Sequence, residues 1–272
     1  MSRVSSLACA LVALACASPT RGPLAVASDG RQAMGTVLEV TLVGPDASAL
    51  PELLASLFAE AERLDALLTD WDAASDLSRL NASAGRGPRS VAPELADLLG
   101  RARRLTLLTR GSFDVTVGPL VTLWREAALR GELPPRAALE ETLGRVGSQA
   151  IRIGGDGRVA LPEGTSVNLG GVAKGYALDR MLPLLDRAGV ETALLSFGQS
   201  STWALGAPQG ASGWRLLARA PDGRFAGVLT LRDRALSVSD SFGSSDEIAG
   251  RRFVHVLDPR SGLPLEQQRE AL

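Results

Sequence analysis

Two basic side chains stand out by rarity. Lys174 is the only lysine and His255 the only histidine in a chain of 272 residues; every other basic side chain is arginine. Lys174 lies in the run Ser166-Val167-Asn168-Leu169-Gly170-Gly171-Val172-Ala173-Lys174-Gly175-Tyr176-Ala177-Leu178-Asp179. A helix that starts after the glycine pair leaves unpaired backbone N–H groups and a partial positive charge at its mouth, which draw an anion. Glycines let that anion approach the backbone closely. A lysine in the first turn is unfavourable to the helix by itself, and a bound phosphate accounts for its presence. A tight strand-to-helix turn with a solvated lysine accounts for the same residues equally well. The spacing is neither that of a P-loop nor that of the three-glycine dinucleotide fingerprint.

His255 is the one imidazole available for proton transfer near neutral pH. It closes an apolar run just before Asp258-Pro259, a strand-end position that suits a site, although a histidine satisfied inside a sheet reads the same way. Trp71 sits in the polar, turn-rich stretch Leu68–Asn81, where it offers a stacking face or folds back on the core. Asp114, in Gly111-Ser112-Phe113-Asp114, has the bland reading of a helix cap.

The elements that must position these residues follow from periodicity. Ser166–Asn168 reads as the end of a strand. A helix follows the glycine pair, with Ala173, Ala177, Met181, Leu184 and Ala188 on one buried face, and Gly189 stops it. Glu191–Phe197 reads as the next strand, so the expected unit is βαβ. Upstream, Gly35–Val43 alternates as a strand. A helix from about Pro51 carries Leu54, Leu57, Phe58, Ala61, Leu64 and Leu68 on one face, and Pro93–Leu108 is a second amphipathic helix. A short helix runs from Pro134-Pro135 to Gly144. Gln149–Ile153 with Arg158–Leu161 reads as a hairpin, as does Trp214–Arg219 with Phe225–Leu231 around Pro221-Asp222-Gly223. Ala235–Ser239 and Arg251–Leu257 are further strands. Many short strands with several helices predict an α+β fold.

The length suits one large domain or two small ones. A net charge of -1, with no long run of like charge, argues against nucleic acid as a partner. The N-terminus reads as a targeting segment: Arg3, an apolar stretch Leu7–Ala17 too short to span a membrane permanently, and Ala15-Cys16-Ala17 with the pattern of signal-peptidase cleavage. Ala13-Leu14-Ala15-Cys16 also resembles a lipobox, whose cysteine becomes lipidated; otherwise Cys16 is a small residue of a cleaved signal. Both cysteines, Cys9 and Cys16, fall here, which leaves the rest of the chain without a disulfide. The expected organisation is a signal or lipoprotein segment over 1–17, a Pro-, Gly- and Ser-rich linker over 18–32, and one domain over 33–272.

Five motifs in one order carry a resemblance. Met34-Gly35-Thr36, the Trp71–Asn81 stretch, Gly111-Ser112-Phe113-Asp114 with the Thr-Val-Gly-Pro-Leu that follows, Asn168–Asp179 and His255–Gly262 together resemble the ApbE family of FAD:protein FMN transferases. The resemblance runs from about Ala33 to Pro264. It implies a T-fold-type architecture of mixed or antiparallel sheets with flanking helices and one βαβ unit. It implies FAD as substrate, Mg2+ as cofactor, and transfer of FMN to a Thr or Ser hydroxyl of an acceptor protein, a redox subunit, with release of AMP. By position it implies FAD contacts at Met34, Trp71, Ser112, Phe113, Asp114, Asn168, Lys174 and Leu257, a backbone metal ligand at the Gly171 carbonyl, and His255 beside the reacting phosphates. The N-terminal segment adds the expectation of an exported protein at the periplasmic face of the inner membrane, anchored through Cys16. Asn168 stands where the family usually has Asp, and Phe197–Ser200 and Ser237–Asp240 also depart from the family pattern. The family's further metal ligands, an Asp and a Thr, lie on a helix beyond the turn at Asp258–Pro264. The sequence ends at Leu272 before such a helix, so the domain is expected to be truncated there. Two other functions stay open: a periplasmic flavin-binding protein without turnover, and an FAD pyrophosphatase yielding FMN and AMP.

Overall fold

The structure, a computed structural model, describes residues 24–198, 200–220, 223–239 and 245–266. The targeting segment with Cys9 and Cys16, residue Gln199, the Pro221-Asp222 pair, Asp240 and the run after Glu266 lie outside the described residues.

The chain enters through strand β1 (Ala25–Ala33), turns at Met34-Gly35 and returns as β2 (Thr36–Gly44). Helix α1 (Leu50–Leu68) follows, with Pro51 in its first turn. Next come α2 (Asp76–Ala82), β3 (Arg89–Ser90) and α3 (Pro93–Leu108). A single 3-10 turn at Val115–Val117 leads into α4 (Gly118–Arg130), and α5 (Arg136–Leu143) precedes β4 (Arg152–Ile153) and β5 (Arg158–Ala160). Helix α6 (Ala173–Arg187) is succeeded by β6 (Thr192–Phe197) and β7 (Ser201–Leu205). A ribbon of β8 (Trp214–Arg219) and β9 (Phe225–Leu231) separates β7 from β10 (Arg234–Ser237). Strands β11 (Ser245–Ile248), β12 (Arg251–Leu257) and β13 (Pro264–Glu266) complete the described chain.

The central sheet has the order β1-β2-β6-β7-β10. Leu38, Val40 and Leu42 of β2 point inward and are fully buried, while Val37 and Glu39 face out, the alternation expected of a half-buried strand. Over them pack Leu54, Leu57, Phe58, Ala61 and Leu64 of α1 and Ala177, Met181 and Leu185 of α6. The expected α1 face is borne out whole. On α6 the buried row is Tyr176, Ala177, Leu178, Met181 and Leu185 rather than Ala173, Leu184 and Ala188. Ala173 and Leu184 pack against the same core while partly exposed, and only Ala188 of the expected set lies off it.

Two expectations fail. The stretch 18–32 is not a linker throughout, because Ala25–Ala33 is an edge strand bonded to β2 along its whole length. Its side chains are mostly exposed, with only the small Ala25, Ala27 and Ala33 against the core, so composition does not reveal it. The βαβ unit is also absent among the described residues. Ser166–Leu169 belongs to no strand, and β6 pairs antiparallel with both neighbours, as does every strand pair in the described residues. What replaces a strand partner is a side chain. Asn81 Nδ2 donates to the Val167 carbonyl at 2.9 Å, and Val167 N donates to Asn81 Oδ1 at 2.8 Å. One carboxamide thus copies both bonds of a ladder.

The sheet has two distinguishable ends. Ala25 pairs with Gly44, Val43 with Thr192, Ala193 with Leu205, and Ala204 with Arg234. The opposite end carries the Met34-Gly35 turn, Thr36, Phe197, Ser201 and Ser237. Helix α6 leads into β6 at the first end, and its fifteen residues reach roughly 22 Å. Its N-terminus therefore lies toward the second end.

Candidate active site

The turn before α6 is held from three sides. Asn81 clasps Val167 as described. Asn168 N donates to the Val115 carbonyl at 2.8 Å, and Gly118 presses so closely on Ser166 that a Cβ there would overlap it. From the third side, Asn168 Nδ2 donates to Asp70 Oδ2 at 2.7 Å, and Asn168 Oδ1 accepts from Gly170 N at 3.0 Å. Asp70 precedes Trp71, so this bond brings the tryptophan loop to the glycine pair. Trp71 itself is 78% exposed, which decides its two readings in favour of a free face.

Phe113 reaches the same turn: a Cβ on Gly171 would stand 3.4 Å from Phe113 Cε2. The loop carrying Phe113 and the exposed Ser112 also meets the Asp258–Gly262 turn, where a Cβ on Gly111 would lie 3.6 Å from Arg260 Cγ. Arg260 forks onto Asp258 through Nε and NH2, each at 3.0 Å, and these bonds hold the Asp258 carboxyl below the usual carboxylate range. Trp71, Asn168, Gly170, Gly171, Phe113 and Ser112 therefore form one neighbourhood.

The mouth of α6 opens onto it. Val172 occupies the N-cap position, and no side chain caps the helix. Lys174 is half-buried in the first turn, with no hydrogen-bond or ion-pair partner among the described residues. Uncapped N–H groups beside an ammonium make an anion site.

Met34 sits at the same end of the sheet. With Gly35 it forms a two-residue turn at φ values of 51 and 71°, and its N–H is held by Asp65 Oδ2 at 2.7 Å. A methionine in the left-handed region is strained by roughly 1 kcal/mol, where asparagine is favoured. Met34→Asn is expected to leave stability unchanged or raise it by up to about 1 kcal/mol while weakening flavin binding. A urea melt that shows clear destabilisation would overturn the assignment of strain.

Three implied residues, Asp114, His255 and Leu257, are differently placed. Asp114 is buried and spends both oxygens internally. Oδ1 accepts from Thr116 N and Oγ1 at 2.8 and 2.6 Å, and Oδ2 accepts from Ser148 N at 2.9 Å. The cap reading of Asp114 holds, and it shapes the loop behind Phe113. His255 is exposed on β12 and lines, with Leu257, Trp124 and Phe253, a cavity of about 200 Å³ between α4 and the β11–β12–β13 sheet. That volume is below the usual range for a small-molecule site, so it holds part of a dinucleotide at most. No hydrogen bond joins His255 to Lys174 among the described residues.

Asp70, Asn81, Asp65 and Arg260 escape sequence reasoning as members of the site. Each acts on a distant backbone or side chain, and nothing periodic marks it. The Asp70–Asn168 bond predicts that Asn168→Asp sets two carboxylates against each other and destabilises the turn by about 1–3 kcal/mol. Adding Asp70→Asn should restore stability in denaturant melts. Failure of the second change to rescue the first would refute this pairing.

The pattern that defines the ApbE family matches residues 34–271. An FAD:protein FMN transferase of Salmonella typhimurium is 31% identical over 277 residues, covering 97% of this chain and 79% of that protein. One from Klebsiella pneumoniae is 31% identical over 250 residues, covering 87% and 70%. Among solved structures, the ApbE protein of Thermotoga maritima superposes with a TM-score of 0.78 at 25% identity, covering 88% of this chain and 78% of that one. The apo form of the Pseudomonas stutzeri flavinyl transferase ApbE gives 0.77 at 26%, covering 89% and 77%. The chain belongs to the ApbE family, and its α+β fold is that of the family's solved members.

Proposed function

We propose that this protein is an FAD:protein FMN transferase. The observation that carries the reading is the uncapped mouth of α6, which presents the single lysine next to a loop with an exposed tryptophan. The diphosphate of FAD suits the first and a flavin or adenine ring the second. In the reaction, a Thr or Ser hydroxyl oxygen of an acceptor protein attacks the FMN phosphorus. A new P–O bond forms, the bond to the AMP phosphate breaks, and AMP leaves with the electron pair. Lys174 and the α6 N–H groups offset charge on the phosphates. His255 takes the hydroxyl proton as general base.

The Mg2+ implied by the resemblance fits poorly to the described residues. The Gly171 carbonyl is one oxygen donor, and among the described residues no group of three His, Cys, Asp or Glu side chains stands together to hold a metal. One carbonyl does not supply the octahedral oxygen set that Mg2+ demands. No step above is assigned to a metal.

Incubation with FAD and a Thr-bearing acceptor tests the assignment. AMP plus a flavinylated acceptor supports it; AMP plus free FMN makes the protein an FAD pyrophosphatase; bound, intact FAD makes it a flavin-binding protein without turnover. His255→Ala transferring FMN at the wild-type rate would remove the general-base role. For localisation, the Arg3–Ala17 segment supports export and a lipid anchor at Cys16, at the periplasmic face of the inner membrane. Labelled palmitate entering the wild type but not Cys16→Ser tests that reading.

A further inference from the structure

The β8–β9 ribbon stands apart from the central sheet as a two-stranded sheet of its own. Cross-strand partners share a face. One face carries Trp214 with Leu231, Leu216 with Leu229, and Ala218 with Gly227. It is anchored where Trp214 Nε1 donates to the Leu205 carbonyl at 3.0 Å. The other face carries Arg215 with Thr230, Leu217 with Val228, and Arg219 with Phe225. Its apolar centre is open: Leu217 is 74% and Phe225 67% exposed. Such a strip of bare leucine and phenylalanine between arginines needs an occupant.

Charge and position say which. Residues 206–233 hold four arginines against two aspartates, in a chain whose net charge is -1, so the ribbon is locally cationic. It springs from Leu205 and returns at Arg234, the end of the sheet where Ala25 pairs with Gly44. The described chain enters the sheet at Ala25, at the ribbon's end, so an anchor at the N-terminus would tether that end, and the candidate active site lies at the other. We infer that the Leu217–Phe225–Val228 face of the ribbon rests on an anionic lipid bilayer, with Arg215 and Arg219 on lipid phosphates. The inference rests on the membrane-anchor reading of the N-terminus. It orients the flavin site away from the lipid by roughly the length of the sheet, on the order of 20–30 Å.

Vesicle flotation of the full chain tests it, with phosphatidylethanolamine vesicles containing phosphatidylglycerol compared with vesicles of phosphatidylcholine alone. An arginine at an anionic surface is worth roughly fivefold in partitioning. The wild type should prefer the anionic vesicles by roughly tenfold or more; Arg215→Gln/Arg219→Gln should lose that preference, and Leu217→Asn/Phe225→Asn should lower binding to both vesicle types. Cys16→Ser reports the anchor separately: it lowers binding to both vesicle types and leaves the preference in place. FAD uptake is unchanged in every ribbon variant, which separates this test from the flavin assignment. Equal binding of wild type and ribbon variants to anionic vesicles overturns the inference. So does a lipid-free dimer in sedimentation that the variants abolish, which would assign the face to a second copy of the chain.

Discussion

Lys174→Gln lowers kcat/KM for FAD by roughly a hundredfold, about 3 kcal/mol of transition-state stabilisation, the scale on which removal of one charge-stabilising donor is felt. The substitution keeps most of the side chain's length and removes its charge. Because Lys174 has no hydrogen-bond or ion-pair partner among the described residues, the melting temperature should stay where it is, so the loss falls on the ligand and not on the fold. Lys174→Arg keeps the charge but changes its shape, and should retain more activity than the glutamine variant. Paired measurements of FAD affinity by titration and of AMP release separate ground-state binding from the chemical step. A glutamine variant within twofold of wild type in both would remove the anion site from the mouth of α6, and the flavin assignment with it.

Asp114→Ala destabilises the domain by about 3 kcal/mol or more, because three donors lose their acceptor in a buried place: the Thr116 N–H, the Thr116 hydroxyl and the Ser148 N–H. For a domain of this size that is a fall in melting temperature of roughly 6–12 °C. Asp114→Asn should also lose stability, since one carboxylate oxygen becomes an amide NH2 donor facing another donor. These losses follow from a positioning role, in which Asp114 shapes the loop that delivers Phe113 to Gly171. If Asp114→Ala instead melts like the wild type while FAD binding collapses, the carboxylate is a direct flavin contact and the internal hydrogen bonds are incidental.

Elements with a strong burial period were legible: the buried face of α1 matches residue by residue, and α3 and β12 match in range. The exposed β8–β9 ribbon matches as well, because turn residues mark it. Strand β1, helix α2 and helix α4 are among the elements that sequence reasoning misses. Strand β1 has little apolar pattern because only its small alanines lie against the core. Helix α2 has one buried pair, Leu77 and Leu80, too little to register as a period. The site was half legible. Gly170-Gly171 and Lys174 announce an anion-binding helix start by residue type alone. What fixes that start is Asn81, from a helix far back in the chain, and Asp70 bonding Asn168. A polar side chain's distant partner is set by the fold, so no local pattern could name it.

The antiparallel pairing of β2 with β6 has a consequence for how the chain acquires its structure. Leu38 meets Phe197 and Val43 meets Thr192, so the strand that emerges early from the ribosome must wait for most of the polypeptide before its inner neighbour exists. Until then β2 can pair only with β1, as an isolated hairpin that is marginal in water. Closing so long a loop is slow. The nascent protein therefore spends most of its synthesis with the sheet unmade, and folding is held back until β6 arrives.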